Sequence, residues 1–222
     1  MAATGPFPGQ LLDPFANPAR IIIAGFSNSG KSVLCQKIIE LYETHFQYIL
    51  YCGVSEHPLE THPSIGPKFK VSKEILNPFD YTEKGQTGVN KGLLFILDDC
   101  FLEASDNKFV TNAFTAGRHS SISVIFITQN MFHSGKFSRS ISLNCSHYIL
   151  MKNRDFSQIE TLGRQLFGRQ KASAFSDIYK KALSRNRYGY LLVDFAPSTP
   201  ELLQLRTNIL GETEYQIAYQ YG

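Results

Sequence analysis

The sequence predicts an α/β protein with a mostly parallel central sheet flanked by helices. Three observations predict this fold. Short apolar runs alternate with segments of helical periodicity, which is typical of parallel sheets with helical crossovers. Most of these runs are apolar throughout, which indicates strands buried on both faces. The run at 20–24 leads into a glycine-rich turn that opens a helix-like segment.

The predicted elements fill most of the chain. Strands are predicted at 20–24, 47–52, 92–97, 122–128, 147–151 and 188–194, and helices at 31–44, 107–117, 155–167 and 170–184. Residues 53–91 are polar and rich in Pro, Gly and His, which predicts loops, one short element near 71–77 and a mobile segment at 84–91. We therefore expect an irregular, proline-rich lead-in at 1–19, one domain at 20–210 and a tail at 211–222.

The composition excludes several classes of protein. Of the 222 residues, 43% are hydrophobic and 13% are aromatic, so the chain can bury a sizeable core. The net charge of +3 permits contact with nucleic acid without demanding it. The four cysteines lack the spacing of a zinc site and predict reduced, buried thiols. No apolar run reaches the roughly 18 residues of a membrane span, so we expect an intracellular, soluble protein without a membrane partner.

A phosphate-binding loop follows the first predicted strand. The segment Gly25-Phe-Ser-Asn-Ser-Gly30-Lys31-Ser32 matches G-x-x-x-x-G-K-[ST] without deviation. The glycines let the backbone fold around a phosphate, and the amides at the helix N-terminus favour an anion. Lys31 adds a positive charge near the β- and γ-phosphates of ATP, and the Ser32 hydroxyl reaches Mg²⁺. The expected nucleotide-binding residues are Gly25, Phe26, Ser27, Asn28, Ser29, Gly30, Lys31, Ser32 and Val33.

A second motif ends the apolar run at 93–97, where Asp98 and Asp99 follow one another. This pattern is typical of a Walker B strand, which delivers a carboxylate to the metal beside the phosphate-loop strand. We expect Asp98 to hold Mg²⁺ with Ser32. Asp99 is the candidate general base for the attacking water, and Glu103 is the alternative.

The spacing of the strands indicates the class of P-loop NTPase. A full strand, 47–52, separates the phosphate-loop helix from the Asp98 strand, and the strand at 122–128 ends at Gln129. This order is typical of the additional-strand (ASCE), RecA-like class, in which a polar sensor residue ends the strand after Walker B. We expect Gln129 to contact the γ-phosphate or the attacking water, with a cap of the strand end as the alternative.

Several segments resemble one family. They are Gly117-Arg118-His119, Ile122 to Asn130, Ser146 to Asp155 (which includes Lys152-Asn-Arg-Asp155) and Tyr188 to Asp194. Together they look like the packaging ATPases of the FtsK–HerA superfamily, most of all the branch in poxviruses and in Polinton- and adintovirus-like elements. The resemblance runs from about Arg20 to Leu210. One departure concerns the base, because many members place Glu where this chain has Asp99.

The resemblance implies an ATP-hydrolysing translocase that packages viral double-stranded DNA into a capsid. The implied partners are double-stranded DNA, a capsid or portal-vertex protein, and further copies of the chain in a ring of five or six. The implied location is the host cytoplasm or nucleus, with association with the virion as an alternative. In such a ring, an arginine from a neighbouring subunit can stabilise the transferring phosphoryl group. Arg154 fits this role best by its position after a strand, with a local salt bridge to a nearby acid as the alternative for this residue, and Arg118 is the second candidate.

Two other functions remain open from the residues alone. A small-molecule kinase is supported by Arg164, Arg169, Arg185 and Arg187, which could form a lid, but tandem aspartates and a sensor glutamine suit water activation better. A non-catalytic nucleotide-binding assembly protein is disfavoured by the intact motifs. A GTPase is less favoured because the chain has no Asn-Lys-x-Asp motif. The basic cluster of Lys180, Lys181, Arg185 and Arg187 is either a solvated helix face or a surface for DNA or a partner.

Overall fold

The computed structural model describes residues 4–7, 18–82, 92–98, 104, 106–132, 138–210 and 216–221. Within these residues, ten strands form one sheet. They are β1 (Thr4–Phe7), β2 (Arg20–Ala24), β3 (Phe46–Cys52), β4 (Phe69–Ser72), β5 (Gly92–Asp98), β6 (Ile122–Thr128), β7 (His147–Leu150), β8 (Leu191–Asp194), β9 (Leu205–Thr207) and β10 (Gln216–Tyr219). The α-helices among them are α1 (Lys31–Leu41), α2 (Lys108–Ala116), α3 (Ser138–Asn144) and α4 (Phe156–Leu183).

The strand order is β1-β10-β9-β8-β7-β2-β6-β5-β3-β4. The six strands from β7 to β4 are parallel to one another, and the four from β8 to β1 continue the sheet in antiparallel fashion. The predicted α/β fold with a mostly parallel sheet is therefore confirmed. The strand β6 lies between β2 and β5, so the expectation that the Asp98 strand lies beside the phosphate-loop strand is wrong. This inserted strand is the additional strand of the predicted class.

The two faces of the sheet are covered by different helices, because successive side chains of a strand point to opposite faces. In β2, Ile22 packs in one core cluster with residues of α2, α3 and α4. Its neighbours Ile21 and Ile23 pack on the other face, in the cluster that contains the buried residues of α1. The central strands are thus buried on both sides, as their apolar sequences predict.

Two predicted helices, 155–167 and 170–184, occupy α4, which is kinked between them. Gly168 has a φ of 77° and a ψ of 168°, which no helix accommodates. The structure therefore confirms a break at the predicted place. The predicted segment 84–91 lies outside the described residues.

The ends of the chain depart from the expected lead-in and tail. Residues Thr4–Phe7 pair antiparallel with Gln216–Tyr219, and the latter pair with β9. The predicted strand at 188–194 is shorter, as β8, and runs antiparallel to β7. Short antiparallel strands at both ends of the chain therefore extend the sheet that the central segments build.

A buried ionic cluster anchors these antiparallel strands. Arg206, which is 1% exposed, places one guanidinium nitrogen 2.6 Å from Asp194 Oδ2 and donates from the other to the Leu203 carbonyl at 2.6 Å. His147 Nε2 lies 3.2 Å from Asp194 Oδ1. Burial raises the pKa of Asp194, but the contact with His147, the amide of Ala196 and the charge of Arg206 outweigh it and hold the pKa at about 2. The carboxylate thus stays charged inside the protein.

No helix in the described part of the chain has the length and hydrophobicity that crossing a membrane requires.

Candidate nucleotide-binding site

The phosphate loop connects the end of β2 to the start of α1 and is fixed by its neighbours. The Gly25 amide donates to the Thr128 carbonyl at 3.2 Å, and the Phe26 amide donates to the Lys152 carbonyl at 2.9 Å. A Cβ on Gly25 would lie 2.9 Å from Met151 Cβ, so only glycine fits there. The loop is therefore tied at its start to the strands on both sides, β6 and β7.

The second half of the loop turns the backbone into the helix. Asn28 and Gly30 have φ angles of 63° and 97°, and α1 begins at the next residue, Lys31. Lys31 Nζ donates to the carbonyls of Gly25 and Phe26, at 2.8 and 2.9 Å, so the ammonium lies across the loop. The loop thus leads directly into the N-terminus of α1, where backbone amides favour an anion.

Ser29 adds a second polar group to the loop. Its side chain is buried, 5% exposed, and its Oγ has no hydrogen-bond partner among the described residues. A buried hydroxyl without a partner is costly, and an anion held by the loop would relieve that cost. The residues present therefore fit a bound phosphate.

The two predicted Mg²⁺ ligands, Ser32 and Asp98, are in contact beside the phosphate loop. Ser32 Oγ donates to Asp98 Oδ2 at 3.2 Å, although the residues are 66 positions apart. Tyr51, on the neighbouring strand β3, donates to the same oxygen at 2.6 Å. Asp98 is 9% exposed, and its carboxylate is oriented by hydrogen bonds from the buried Tyr51 and from the exposed Ser32. A hydroxyl and a carboxylate at this spacing are hard oxygen ligands, which fit Mg²⁺.

The proposed bases cannot be placed in the same way. Asp99 and Glu103 lie outside the described residues. Their roles remain predictions.

The end of β6 carries the predicted sensor. Thr128 pairs with Ala24 at the end of β2, and Ile127 pairs with Asp98 at the end of β5. Gln129, which comes next, is exposed at the carboxyl edge of the sheet between the phosphate loop and Asp98. The contact of Gln129 with a γ-phosphate or the attacking water stays a prediction.

A polar link joins the sensor segment to the segment after β7. Gln158 Oε1, on α4, accepts from the Met131 amide at 3.1 Å and from Asn153 Nδ2 at 3.4 Å. Asn153 in turn accepts from the Asp155 amide through its Oδ1 at 3.0 Å. The Lys-Asn-Arg-Asp segment is thereby tied to the end of β6.

The two candidate arginines lie at opposite edges of the sheet. The Arg154 guanidinium lies 5.2 Å from the ring centroid of Phe26, so it stacks on the phosphate loop of its own chain. Arg118 precedes β6 at the other edge, where burial and the charge of Arg118 lower the pKa of Arg20. Of the two, Arg118 is the one that lies away from the phosphate loop of its own chain, and the role of either arginine toward a neighbouring subunit stays a prediction.

The side chains of the basic cluster are exposed, and most of them contact aromatic side chains of the same chain. Lys180 lies 4.5 Å from the ring centroid of Phe156, and Arg185 Nε donates to the Tyr219 hydroxyl at 2.9 Å. These contacts fit a solvated helix face, and a DNA-facing role remains a prediction.

Three residues at the site are not among those that the sequence predicts. They are Tyr51, which orients Asp98, Gln158, which links two loops, and Tyr188, whose ring lies against the phosphate loop. No motif marks them, because each reaches the site from a distant element through the tertiary fold.

The fold and the site together define a P-loop NTPase. No protein-family model matches the chain, and no curated protein matches it. Among solved structures, the chain resembles the genome packaging NTPase of Sulfolobus turreted icosahedral virus 2 in complex with sulfate, with a TM-score of 0.55 and 16% identity over 82% of this chain and 94% of that one. The same enzyme in complex with ATP-γS matches with a TM-score of 0.54 and 17% identity over 86% and 97% of the two chains.

The DNA-packaging ATPase of Sulfolobus turreted icosahedral virus matches with a TM-score of 0.55 and 15% identity, over 81% of this chain and 93% of that one. At these identities the likeness establishes the fold.

Proposed function

We propose that this chain hydrolyses ATP and uses the energy to move double-stranded DNA into a viral capsid, as a member of the FtsK–HerA superfamily. The observation that carries the ATPase assignment is the 3.2 Å contact between Ser32 and Asp98 directly behind the phosphate loop. It joins the two motifs that the sequence predicts separately. A coincidental glycine turn would not place its serine on a buried aspartate.

Each residue has a defined task in this proposal. The amides of the loop and Lys31 bind the β- and γ-phosphates, and Lys31 exchanges its loop carbonyls for phosphate oxygens. Ser32 and Asp98 would hold Mg²⁺, which neutralises phosphate charge when bound. Asp99 accepts a proton from the attacking water, and Gln129 orients that water.

The DNA-packaging part of the proposal has two supports. The chain has the fold of viral packaging NTPases over more than nine tenths of their length. Its Lys152-Asn-Arg-Asp155 segment and its Gln129 strand also resemble the packaging family. On this proposal the partners are double-stranded DNA, a capsid or portal-vertex protein, and further copies of the chain in a ring.

Three variants test the ATPase assignment. Lys31→Ala removes most ATP binding and turnover, because the phosphates lose their main cationic partner. Asp99→Asn keeps ATP binding and loses turnover, because an amide has the carboxylate's shape but cannot accept the proton. Wild-type hydrolysis by Lys31→Ala would refute the site. Equal loss of ATP binding in Asp98→Asn and Asp99→Asn would refute the division between metal ligand and base.

A kinase would show a different response. Its ADP formation stays low without an acceptor and rises only when a small molecule with a hydroxyl or phosphate group is added, and the phosphoryl group is then found on that molecule rather than as free phosphate. Stable ATP binding without release of phosphate under any condition would instead indicate a nucleotide-binding assembly protein.

A further inference from the structure

One exposed aromatic side chain lies at the phosphate loop and has no task in the proposed reaction. Tyr188 is 53% exposed, yet its Cδ1 lies only 3.0 Å from where a Cβ on Gly30 would be. It sits in the turn before β8. Because Leu191, the first residue of β8, pairs with Leu150, the last of β7, this turn lies at the carboxyl edge of the parallel sheet. That is the edge at which the phosphate loop leaves β2.

The turn holds Tyr188 in place. Asn186 Oδ1 accepts from the Tyr188 amide at 2.9 Å, and the Asn186 carbonyl accepts from the Gly189 amide at 3.1 Å. Gly189 is packed so closely that an added Cβ would lie 2.7 Å from the Leu183 carbonyl oxygen. The ring is therefore presented by a fixed backbone rather than by a free loop.

The surroundings of the ring suit a flat, electron-rich ligand. The Arg187 guanidinium lies 5.5 Å from the centroid of the Tyr188 ring. A second apolar side chain, Val33, is 61% exposed in the first turn of α1, three residues after Gly30. Two exposed apolar groups thus flank the start of the helix that binds the phosphates. Aromatic rings and arginine planes are the groups on which nucleobases stack.

We propose that Tyr188, supported by Arg187, is the stacking surface for the base of the nucleotide whose phosphates the loop binds. This inference rests on the proposed ATPase function and adds the recognition of the base to it. The occupant follows from continuity, because the ring lies against Gly30, one residue before Lys31, and the sugar and base of a bound nucleotide are joined to the phosphates that Lys31 and Ser32 hold.

Two ligands separate base recognition from phosphate binding. ATP-γS carries the base and tripolyphosphate does not, and both are titrated calorimetrically with Mg²⁺ present. Tyr188→Ala should weaken ATP-γS binding about tenfold, which corresponds to about 1.4 kcal/mol, and leave tripolyphosphate binding unchanged. Tyr188→Phe keeps the ring and should bind ATP-γS within about twofold of wild type. Tyr48→Ala is the matched control, since Tyr48 is also exposed, at 40%, and lies in β3 near its amino end.

The possible results are distinct. An equal loss of both ligands in Tyr188→Ala would mean that the ring only shapes the loop at Gly30, and no loss of either would mean that it has no role; both overturn the proposal. If wild-type protein binds neither ligand, or if Lys31→Ala binds both normally, the ATPase proposal itself fails and the stacking surface fails with it. Loss of ATP-γS binding alone supports both.

Discussion

The hydrogen bond from Tyr51 to Asp98 gives a prediction whose size can be derived from the structure. Tyr51→Phe removes only the hydroxyl that donates to Asp98 Oδ2 at 2.6 Å. Tyr51 is 1% exposed and Asp98 is 9% exposed, so water replaces the lost donor poorly. A hydrogen bond to a charged group contributes about 1.5–3 kcal/mol. We expect the free energy of unfolding to fall by about that amount.

The same change should alter the metal site. Without the Tyr51 hydroxyl, Asp98 Oδ2 loses its hydrogen bond at 2.6 Å and keeps the one from Ser32. The carboxylate is therefore less firmly oriented. The Mg²⁺ concentration for half-maximal ATP turnover should therefore rise, while turnover at saturating Mg²⁺ changes less. Urea unfolding and a Mg²⁺ titration of ATPase activity measure the two effects.

A matched substitution controls for the loss of a tyrosine hydroxyl. Tyr148→Phe removes a hydroxyl that donates to the neutral Ser142 carbonyl at 3.0 Å. It should cost only about 0.5–1.5 kcal/mol and leave the Mg²⁺ dependence unchanged. Equal stability loss in the two variants, together with an unchanged Mg²⁺ dependence for Tyr51→Phe, would refute the reasoning.

Two further predictions concern the charges of the fold and of the site. The pKa of Asp194 is lowered to about 2, whereas an unfolded Asp titrates near 4, so this group stabilises the fold above about pH 4. That contribution of about 2–3 kcal/mol should disappear as the pH falls toward 2, and urea unfolding of Asp194→Asn should lack this step. If Arg154 acts on a neighbour's nucleotide, mixing Arg154→Ala with Lys31→Ala subunits should restore part of the ATPase activity. No recovery, with recovery in the same test of Arg118→Ala, would assign the role to Arg118.

The central part of the fold could be predicted because its signals are local. The strands β2 and β6 consist mostly of consecutive apolar residues, and their predicted bounds agree with the structure. The phosphate loop is a fixed spacing of residue types, so its lysine and serine could be assigned before the fold was known. Asp98 could be assigned because it ends an apolar strand.

The strands β1, β9 and β10 and the antiparallel direction of β8 could not be predicted, because their signals are not local. The strand β9 has only three residues, and the pairing of Thr4–Phe7 with Gln216–Tyr219 joins the two ends of the chain. From its residue type alone, Arg206 would be expected at the surface. Only the arrangement of β8 and β9 brings it to Asp194.

At the site, too, the residues of the motifs could be predicted, and those that the tertiary fold brings in could not. The contact between Ser32 and Asp98 follows from two recognisable motifs, whereas Tyr188 reaches Gly30 only because β8 runs antiparallel beside β7. A sequence pattern can mark residues that bind phosphate and metal by their spacing. It cannot mark a side chain whose position depends on the direction of a neighbouring strand.

The most direct test of the proposed function is the rate of ATP hydrolysis with and without double-stranded DNA, measured on wild-type protein and on Lys31→Ala. A DNA-translocating ATPase should release phosphate faster when double-stranded DNA is added, and Lys31→Ala should show neither the basal nor the stimulated rate. Hydrolysis by wild-type protein that does not respond to DNA would contradict the translocase, and equal rates in wild type and Lys31→Ala would contradict the site.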